Sequence, residues 1–426
     1  MAHSITKILI ANRSEIAIRI MRTCRKMGIA TVAVFSEADK NALFVKHADE
    51  GIALGGYAAS DSYLNQEKII AAAKRTGADA IHPGYGFLSE NESFARRCEQ
   101  EGILFIGPNS KAIEAMGDKI RAKEIMQKHG VPVVPGYDGE DQSMETLRKE
   151  AKKIGFPVLL KASAGGGGKG MRIVREEKTL EKDIEGAKRE ALSAFGDDTL
   201  LIEKYFDSAR HIEFQILGDK HGQVIHLFER ECSIQRRYQK IIEESPSPVM
   251  TDALREKMAA AALKAAQAIK YDNAGTVEFI VDDKLHFYFL EVNTRLQVEH
   301  PVTEMVTGLD LVKLQIEVAQ GLPLPLSQND VKQNGHAVEC RLYAEDPYNH
   351  FLPATGKVLA YLPDESGCTR YDSGVENGSV IDIHYDPMIA KVITWGNTRS
   401  DAIRKMKHAL RRDRLAGCCY KQKLPH

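Results

Sequence analysis

Two glutamates in a predicted β-hairpin are the first candidates for metal chemistry. The stretch AGTVEFIVDDKLHFYFLEV, residues 274–292, contains two apolar strand patterns joined by Asp282-Asp283, and each strand carries one carboxylate, Glu278 or Glu291. Two like charges brought together in an apolar setting repel each other unless a cation offsets them. Because Mg²⁺ prefers oxygen ligands, the hairpin predicts a Mg²⁺ site with Asn293 as a helper. The alternative is that both glutamates lie on a solvated sheet face.

Three polar residues alternate just beyond this hairpin. Arg295, Gln297 and Glu299 would share one face of an extended chain. A guanidinium offers a planar fork for a carboxylate or a carbonate, and a neighbouring glutamate is able to act as a general base. The alternation therefore predicts an anion site beside a base, although the same spacing also fits a simple Arg-Glu ion pair.

Positive charge is concentrated in the stretch RECSIQRRYQK, which follows the strand pattern VIHLFE. The basic residues there are Arg230, Arg236, Arg237 and Lys240. Their apolar surroundings favour binding of an anionic substrate or of the γ-phosphate of a nucleotide, but basic runs are also common on solvated faces. The spacing alone leaves both interpretations open.

A run of four glycines lies between two strand patterns in KASAGGGGKGMRIV, residues 161–174. Glycine lets backbone N–H groups approach a ligand closely, and the flanking lysines suit phosphate oxygens. A dinucleotide fingerprint should open a helix, whereas MRIV is extended in character. A P-loop needs Ser or Thr after its lysine, and the residue after Lys169 is Gly170. The stretch therefore predicts a hairpin that covers a nucleotide.

The elements that must position these residues alternate between strand and helix patterns in the first part of the chain. KILIAN, EIAIRIMRTCRKMG and IATVAVFS form a βαβ pattern, and the alternation continues to ILFIGP. Residues 1–115 are therefore predicted to form an open α/β domain. A basic connecting helix is expected in 116–132, a small glycine-containing domain in 133–205, and a strand-rich remainder in 206–426.

Composition narrows the class of protein. The 426 residues have a formal net charge of -1, so no global field attracts nucleic acid or an anionic membrane. Seven cysteines are scattered without a C-x-x-C pair, which argues against zinc and against a disulfide framework. The sequence has no membrane-spanning apolar segment and no secretory signal. These features predict a cytoplasmic enzyme.

The ordered motifs resemble the biotin carboxylase family of the ATP-grasp superfamily, from about residue 5 to 415. They are ANRSEIAIRI, HPGYGFLSEN, KASAGGGGKGMRIV, RHIEFQ, RECSIQRRYQK, FLEVNTRLQVEHPVTE and HAVECRLYAED. The resemblance implies an α/β ATP-grasp fold with an N-terminal open α/β domain, a small central lid domain and a C-terminal mixed α+β domain. It also implies that ATP activates bicarbonate as carboxyphosphate, which then carboxylates biotin.

The resemblance also implies a role for each matching position. Residues expected at ATP are Lys119, Lys161, Gly167, Gly168, Glu203, Lys204, Tyr205, Phe206, His211 and Tyr238. Residues expected to bind Mg²⁺ or Mn²⁺ are Glu278, Glu291 and Asn293. Bicarbonate is expected to bind Lys240, Arg295, Gln297 and the Val298 backbone, with Glu299 as its base and Arg341 stabilising the biotin enolate. The family commonly has histidine at the position of Tyr238, so this chain departs from the family pattern at that expected nucleotide contact.

The resemblance further implies partners. Ala-Met-Lys-Met does not occur in the sequence, so biotin is expected on a separate carrier protein or domain, alongside a carboxyltransferase subunit. A homodimer or a larger carboxylase complex is expected. The end of the chain, CCYKQKLPH, departs from the Val-Thr-Asn-like segment expected there. GKGMRIV and YDPMIAKVITWG favour an acyl-CoA carboxylase over a pyruvate carboxylase. Another ATP-grasp ligase is a further alternative, but it would lack the Arg295 to Glu299 string and HAVECR. A regulatory nucleotide-binding subunit is the last alternative, and the intact Lys240, Arg295 and Glu299 argue against it.

Overall fold

A parallel sheet with helices packed against it forms the first part of this computed structural model, which describes residues 3–162, 171–237, 239–364, 367–417 and the backbone of 420–421. The sheet order is β3-β2-β1-β4-β5. Its strands are β1 Lys7–Ile10, β2 Ala30–Phe35, β3 Glu50–Ala53, β4 Ala80–His82 and β5 Leu104–Phe105. The helices are α1 Ser14–Lys26, α2 Leu43–His47, α3 Gln66–Thr76 and α4 Glu92–Gln100. The predicted open α/β layer is confirmed.

Two helices connect this sheet to the next one, α5 Ser110–Gly117 and α6 Lys119–Lys128. The Asp118 carboxylate caps α6, because it accepts hydrogen bonds from the N–H groups of Ile120 and Arg121 at 2.8 and 3.0 Å. Lys119 is the first residue of α6 and projects into the cavity described below. The basic helix predicted here is thus present, whereas the separate helix α5 was not predicted.

A small antiparallel sheet in the order β6-β9-β7-β8 follows. Its strands are β6 Gly136–Tyr137, β7 Val158–Ala162, β8 Met171–Val174 and β9 Leu200–Lys204, and it packs on α7 Met144–Ile154 and α8 Leu180–Phe195. Strands β7 and β8 pair in antiparallel register up to Lys161 opposite Met171. Both strands predicted to flank the glycine run are therefore present, and the glycines lie outside the described residues.

A large antiparallel sheet carries most of the remaining chain, in the order β14-β13-β10-β11-β12-β15-β21-β19. The strands in this part are β10 Ala209–Gly218, β11 Val224–Arg236, β12 Gln239–Ser245, β13 Asn273–Asp282, β14 Phe287–Asn293, β15 His336–Tyr343, β16 Glu345–Asp346, β17 Leu352–Pro353, β18 Gly356–Leu362, β19 Thr369–Ser373, β20 Val380–Ile381, β21 Met388–Gly396, β22 Arg414–Gly417 and β23 Tyr420–Lys421. The helices are α9 Asp252–Ala268, α10 His300–Thr307, α11 Leu311–Ala319 and α12 Arg399–Arg412. A smaller sheet has the order β20-β18-β22-β23.

Small side chains let α9 lie close against the large sheet. Ala262, Ala265 and Ala266 are fully buried and belong to the same apolar cluster as Phe214 and Phe279 of the sheet. This packing covers one face of β10 and β13, so their polar residues lie on the opposite face. Among the described residues, no helix combines the length and the apolar character needed to cross a membrane.

Candidate active site

A row of charged residues crosses four neighbouring strands of the large sheet. Glu291 of β14 lies opposite Glu278 of β13, which lies opposite Glu213 of β10, which lies opposite Arg230 of β11. Directly opposed residues in antiparallel strands share a face, so the three carboxylates stand side by side. The hairpin predicted to bring Glu278 beside Glu291 is therefore present.

The ammonium of Lys240, which lies on β12, forms ion pairs with two carboxylates of this row and with Glu299. Its Nζ lies 2.6 Å from Glu213 Oε2, 2.8 Å from Glu278 Oε1 and 2.7 Å from Glu299 Oε1. Burial alone would lower the pKa of Lys240, but the three carboxylates outweigh it and raise the pKa well above its usual value. Lys240 is therefore a fixed cation between three buried anions.

Glu299 is a buried carboxylate held between two cations. Besides Lys240, it contacts Arg341, whose Nη2 lies 3.1 Å from Glu299 Oε2. Burial would raise the pKa of Glu299, but Lys240, followed by Arg341, lowers it to about 2. Glu299 is thus ionised at neutral pH, and its low pKa depends on these two cations.

Arg341 has its own counter-ion on the neighbouring strand. Its Nε donates a hydrogen bond to Glu243 Oε1 at 2.7 Å, and its Nη2 lies 2.6 Å from the same oxygen. The guanidinium is therefore fixed in one orientation, with Nη2 also directed at Glu299. Burial raises the pKa of Glu243 to about 7, although Arg341 opposes that shift.

Glu90, from the N-terminal α/β part of the chain, forms an ion pair that fixes the Arg295 side chain. Its Nε lies 2.7 Å from Glu90 Oε2, while its Nη1 and Nη2 donate to Gln297 Oε1 and Asn293 Oδ1 at 3.0 Å each. The chain is not a regular strand between 294 and 299, yet Arg295 and Gln297 do converge. The side-chain bond between them comes from this local bend rather than from strict alternation.

Glu278, Glu291 and Asn293 form an oxygen-rich group that suits a divalent cation. Glu278 accepts hydrogen bonds from Asn293 Nδ2 at 2.8 Å and from Gln297 Nε2 at 3.3 Å. The Glu291 carboxylate makes no hydrogen bond or ion pair with the described residues, and burial together with Glu278 raises its pKa. The Glu291 carboxylate faces Glu278 without an ion-pair partner of its own among the described residues, and the carboxylate and amide oxygens of this group fit Mg²⁺ or Mn²⁺.

His211 stands at the edge of this group. Its Nε2 lies 2.9 Å from Glu278 Oε2, and Gln235 Nε2 lies 3.2 Å from its Nδ1. Burial would lower the pKa of His211, but Glu278 raises it to about 9. His211 is therefore a further cation facing the carboxylate row.

The predicted nucleotide residues fall into two groups. Lys161 contacts the Glu203 carboxylate, and Lys123, which was not predicted, lies 3.5 Å from the same carboxylate. All three residues line the same cavity. Lys204 donates to the carbonyls of Gly155 and Phe156 at 2.8 and 2.9 Å. The other predicted positions in this strip, Tyr205 and Phe206, lie beside the Arg175 guanidinium and stacked on Tyr288 respectively.

The cavity that joins these groups has a volume of about 870 Å³. Lys119 and Lys161 line its nucleotide side, and Glu278, Arg295, Glu299 and Arg341 line the other side. Lys204, Tyr205 and Phe206 are not among the residues that line it. Gly167, Gly168 and Tyr238 lie outside the described residues, so their predicted contacts stay predictions.

One basic residue was interpreted too broadly from the sequence. Arg230 is fully buried, and its guanidinium is used by Glu213 at 2.6 Å and by Gln215, Thr276 and Thr303 at 2.7–3.0 Å. Arg230 therefore neutralises Glu213 within the charged row and is too enclosed to bind a substrate anion.

Three supporting carboxylates were not found from the sequence: Glu213, Glu243 and Glu90. Glu213 and Glu243 sit within apolar strand patterns, IEFQILG and KIIEES, where a buried charge signals a paired one. Glu90 gave no comparable signal, because its partner Arg295 lies 205 residues away in the chain.

The small sheet with its hairpin and the large sheet with its facing glutamates and lysines enclose one nucleotide-sized cavity, which is the arrangement of an ATP-grasp enzyme. Three family models match consecutive parts of the chain. They are biotin carboxylase, N-terminal domain, at residues 4–113; carbamoyl-phosphate synthase L chain, ATP binding domain, at 118–327; and biotin carboxylase C-terminal domain, at 339–425. The chain belongs to the biotin carboxylase family.

Two curated relatives and one solved structure illustrate the similarity. Biotin carboxylase 2 of Bacillus subtilis is 56% identical over 413 residues, which cover 97% of this chain and 93% of that protein. The alpha subunit of mitochondrial methylcrotonoyl-CoA carboxylase from Mus musculus is 54% identical over 415 residues, 97% of this chain. This chain spans 58% of that subunit's length.

The solved structure is the biotin carboxylase domain dimer of the 2-oxoglutarate carboxylase of Hydrogenobacter thermophilus, in complex with MgADP, ADP and bicarbonate. It is 50% identical, with a TM-score of 0.90, and the match covers 97% of this chain and 92% of that chain. The predicted fold class, family and enzyme class, an ATP-dependent ligase, are thereby confirmed.

Proposed function

We propose that the protein uses ATP and bicarbonate to carboxylate biotin through carboxyphosphate. The observation that carries this proposal is the position of Glu299, an ionised carboxylate between Lys240 at 2.7 Å and Arg341 at 3.1 Å. The same cavity holds the paired glutamates of a cation site and lysines suited to phosphates. A base, an anion clamp and a nucleotide site in one cavity are the requirements of this reaction.

Bicarbonate would bind at Arg295, Gln297, Lys240 and the Val298 backbone. Bicarbonate is a poor nucleophile, so removal of its proton by Glu299 would supply the stronger oxygen that attacks the γ-phosphoryl group. Binding also places an anion beside Lys240. Lys240 is the main cause of the low pKa of Glu299. An ion pair between Lys240 and bound bicarbonate would therefore raise the pKa of Glu299 and make it a stronger base while the substrate is bound.

ATP phosphates would bind Lys119 and Lys161, with Gly167 and Gly168 above them. Glu203, Lys204, Tyr205, Phe206, His211 and Tyr238 are proposed around the rest of the nucleotide. Glu278, Glu291 and Asn293 would hold Mg²⁺ or Mn²⁺, which supplies charge neutralisation on the phosphates when bound. The residues themselves hold the two reactants in line, and positioning of this kind contributes most of the rate in phosphoryl transfer.

Arg341 would stabilise the negative charge that develops on the ureido oxygen when biotin N1′ loses its proton. Its guanidinium is already oriented by Glu243, which lowers the reorganisation needed when biotin arrives. Carboxyphosphate hydrolyses readily, so the enclosed cavity also has to exclude water while the intermediate exists.

The wider setting is likewise proposed. Biotin would arrive on a carrier protein or domain, and a carboxyltransferase subunit would use the product, with an acyl-CoA as the final acceptor. The protein would form a homodimer or a larger complex and would be located in the cytoplasm. Its chain would divide into four parts, 1–115, 116–132, 133–205 and 206–426. The free thiols of Cys24, Cys98, Cys232, Cys340 and Cys368 support a reducing compartment.

ATP hydrolysis tests the proposal directly. We expect the purified protein with Mg²⁺ to release phosphate slowly, and bicarbonate together with free biotin to stimulate the release. Radiolabelled bicarbonate should appear in carboxybiotin under the same conditions. Stimulation by ammonia or an amino acid instead, without biotin, would identify another ATP-grasp ligase.

A further inference from the structure

One buried ammonium joins all three family-model regions directly behind the proposed bicarbonate site. Lys391 of β21 is fully buried, and its Nζ donates a hydrogen bond to the backbone carbonyl of Val298 at 2.9 Å. The same Nζ lies 3.3 Å from Glu15 Oε2 of α1. Glu15, Val298 and Lys391 thus come from the N-terminal, ATP-binding and C-terminal regions respectively.

Sheet register makes Lys391 the neighbour of a site residue. Lys391 lies directly opposite Arg341 in the antiparallel pair of β21 and β15, so both side chains project from the same face. Arg341 reaches the Glu299 carboxylate, and Lys391 reaches the carbonyl of the preceding residue. Two adjacent cations of one sheet therefore hold two consecutive residues of the proposed bicarbonate loop.

The planarity of the peptide bond turns this contact into a constraint on the site. Because the carbonyl and the N–H of a trans peptide point in opposite directions, fixing the Val298 carbonyl also fixes the Glu299 N–H. The preceding peptide is held in the same manner, since His300 Nδ1 lies 2.8 Å from the Gln297 carbonyl. A carbonyl only accepts, so the ring nitrogen is the donor. That bond fixes the Val298 N–H.

We propose that Lys391, with Glu15 as its counter-ion, is a positioning residue that fixes the Val298–Glu299 peptide for bicarbonate binding and proton removal. This inference rests on the proposed function of the site. Lys391 does not line the cavity and touches no reacting group, so it acts through Val298. Misplacement of a reacting group by about 1 Å can cost roughly 10²-fold in rate, so loss of the Lys391 contact is expected to slow the reaction.

Glu15 is suited to the counter-ion role because it has few other contacts. It is buried, and apart from the ion pair to Lys391 neither of its carboxylate oxygens has a hydrogen-bond partner among the described residues. Asp372, opposite Lys391 on β19, is instead bound by Arg370 at 2.8 Å. A lysine buried without an available anion would be costly, so Glu15 and Lys391 are expected to act as a pair.

Steady-state kinetics of the Lys391→Met variant test the proposal. The long side chain is kept while the donor is lost, so we expect the KM for bicarbonate to rise by roughly tenfold or more, within the range that misplacement produces. ATP affinity, measured by calorimetry, should stay within about twofold, because Lys391 lies away from the nucleotide side. The double variant Glu15→Gln, Lys391→Met removes the charge from both partners and serves if the single variant does not fold.

Lys405→Met is the matched control. Lys405 Nζ also donates to a backbone carbonyl of β21, that of Trp395 at 3.0 Å, but it lies away from the bicarbonate loop. It should leave the KM for bicarbonate unchanged.

A purely structural role for Lys391 would lower the melting temperature or the fraction of active enzyme and leave that KM unchanged, which would overturn the inference. Wild-type protein without bicarbonate- and biotin-stimulated ATP hydrolysis would overturn the proposed function instead, so the two failures are distinguishable.

Discussion

Lys240 Nζ lies 2.7 Å from Glu299 Oε1, so the proposed base is ion-paired with a proposed bicarbonate-binding cation before any substrate is present. With a pKa of about 2, Glu299 is ionised but is a weak base in this arrangement. The pKa of Glu299 depends on whether Lys240 and Arg341 are paired with Glu299 alone or also with another anion. An anion that shares these cations would raise the pKa, so substrate binding and activation of the base are linked by one contact.

Replacing Glu299 with Gln keeps the shape of the side chain and removes the proton acceptor. We expect biotin-dependent turnover to fall by roughly 10²-fold or more, while ATP still binds. Glu244→Gln is the control, because Glu244 is also buried and ion-paired on β12 but contacts His336 and Arg399 instead of the site. Equal turnover in Glu299→Gln and wild-type enzyme would contradict the role of Glu299.

Metal dependence tests Glu291 most cleanly. Glu278 also binds Lys240, whereas the Glu291 carboxylate makes no hydrogen bond or ion pair with the described residues, so Glu291→Gln changes the cation site with little effect on the ion network. We expect the Mg²⁺ concentration for half-maximal activity to rise by at least the roughly 10–100-fold that loss of an outer-sphere partner costs. A Mg²⁺ titration that superimposes on that of wild-type enzyme would assign Glu291 a structural role.

Glu90 is predicted to tune bicarbonate binding from the N-terminal region. Glu90→Gln removes the negative partner of Arg295 Nε and leaves the bonds to Gln297 and Asn293 in place. Because the Glu90 side chain is 41% exposed, we expect only a two- to fivefold increase, roughly, in the KM for bicarbonate. Glu92→Gln is the control, because Glu92 pairs with Arg96 of the same helix and not with Arg295. A change in ATP affinity without a change in this KM would speak against the assignment.

Local pattern was enough to predict some of the site, and long-range pairing explains what was missed. Glu278 and Glu291 lie in one hairpin, so their facing follows from strand alternation and a short turn. Glu213 joins the same row only because β10 pairs with β13, and α9 lies between them in the sequence. No local pattern encodes such a register.

Burial also decided what a basic residue does. Arg230 and Lys240 occur in one basic run, yet Arg230 is fully enclosed by four polar partners whereas Lys240 faces the cavity. Sequence spacing shows the charge and not which strand face meets the cavity. Lys391 was overlooked for the same reason, since its importance comes from contacts with Glu15 and Val298, which are distant in the chain.

The buried histidine at the end of β4 predicts loss of stability in acid. Burial lowers the pKa of His82 from 6.5 to about 3, so between these values the unfolded chain binds a proton that the folded protein excludes. Stability from this group is therefore complete above pH 6.5 and is lost as pH falls towards 3. For His82 alone, the free energy of unfolding should drop by about 1 kcal/mol between pH 6.5 and 5.5. Urea unfolding at both values measures it, and His82→Gln should reduce the pH dependence by that amount, whereas His129→Gln, at an exposed position, should not. An identical pH dependence in wild-type and His82→Gln protein would show that His82 does not exclude the proton.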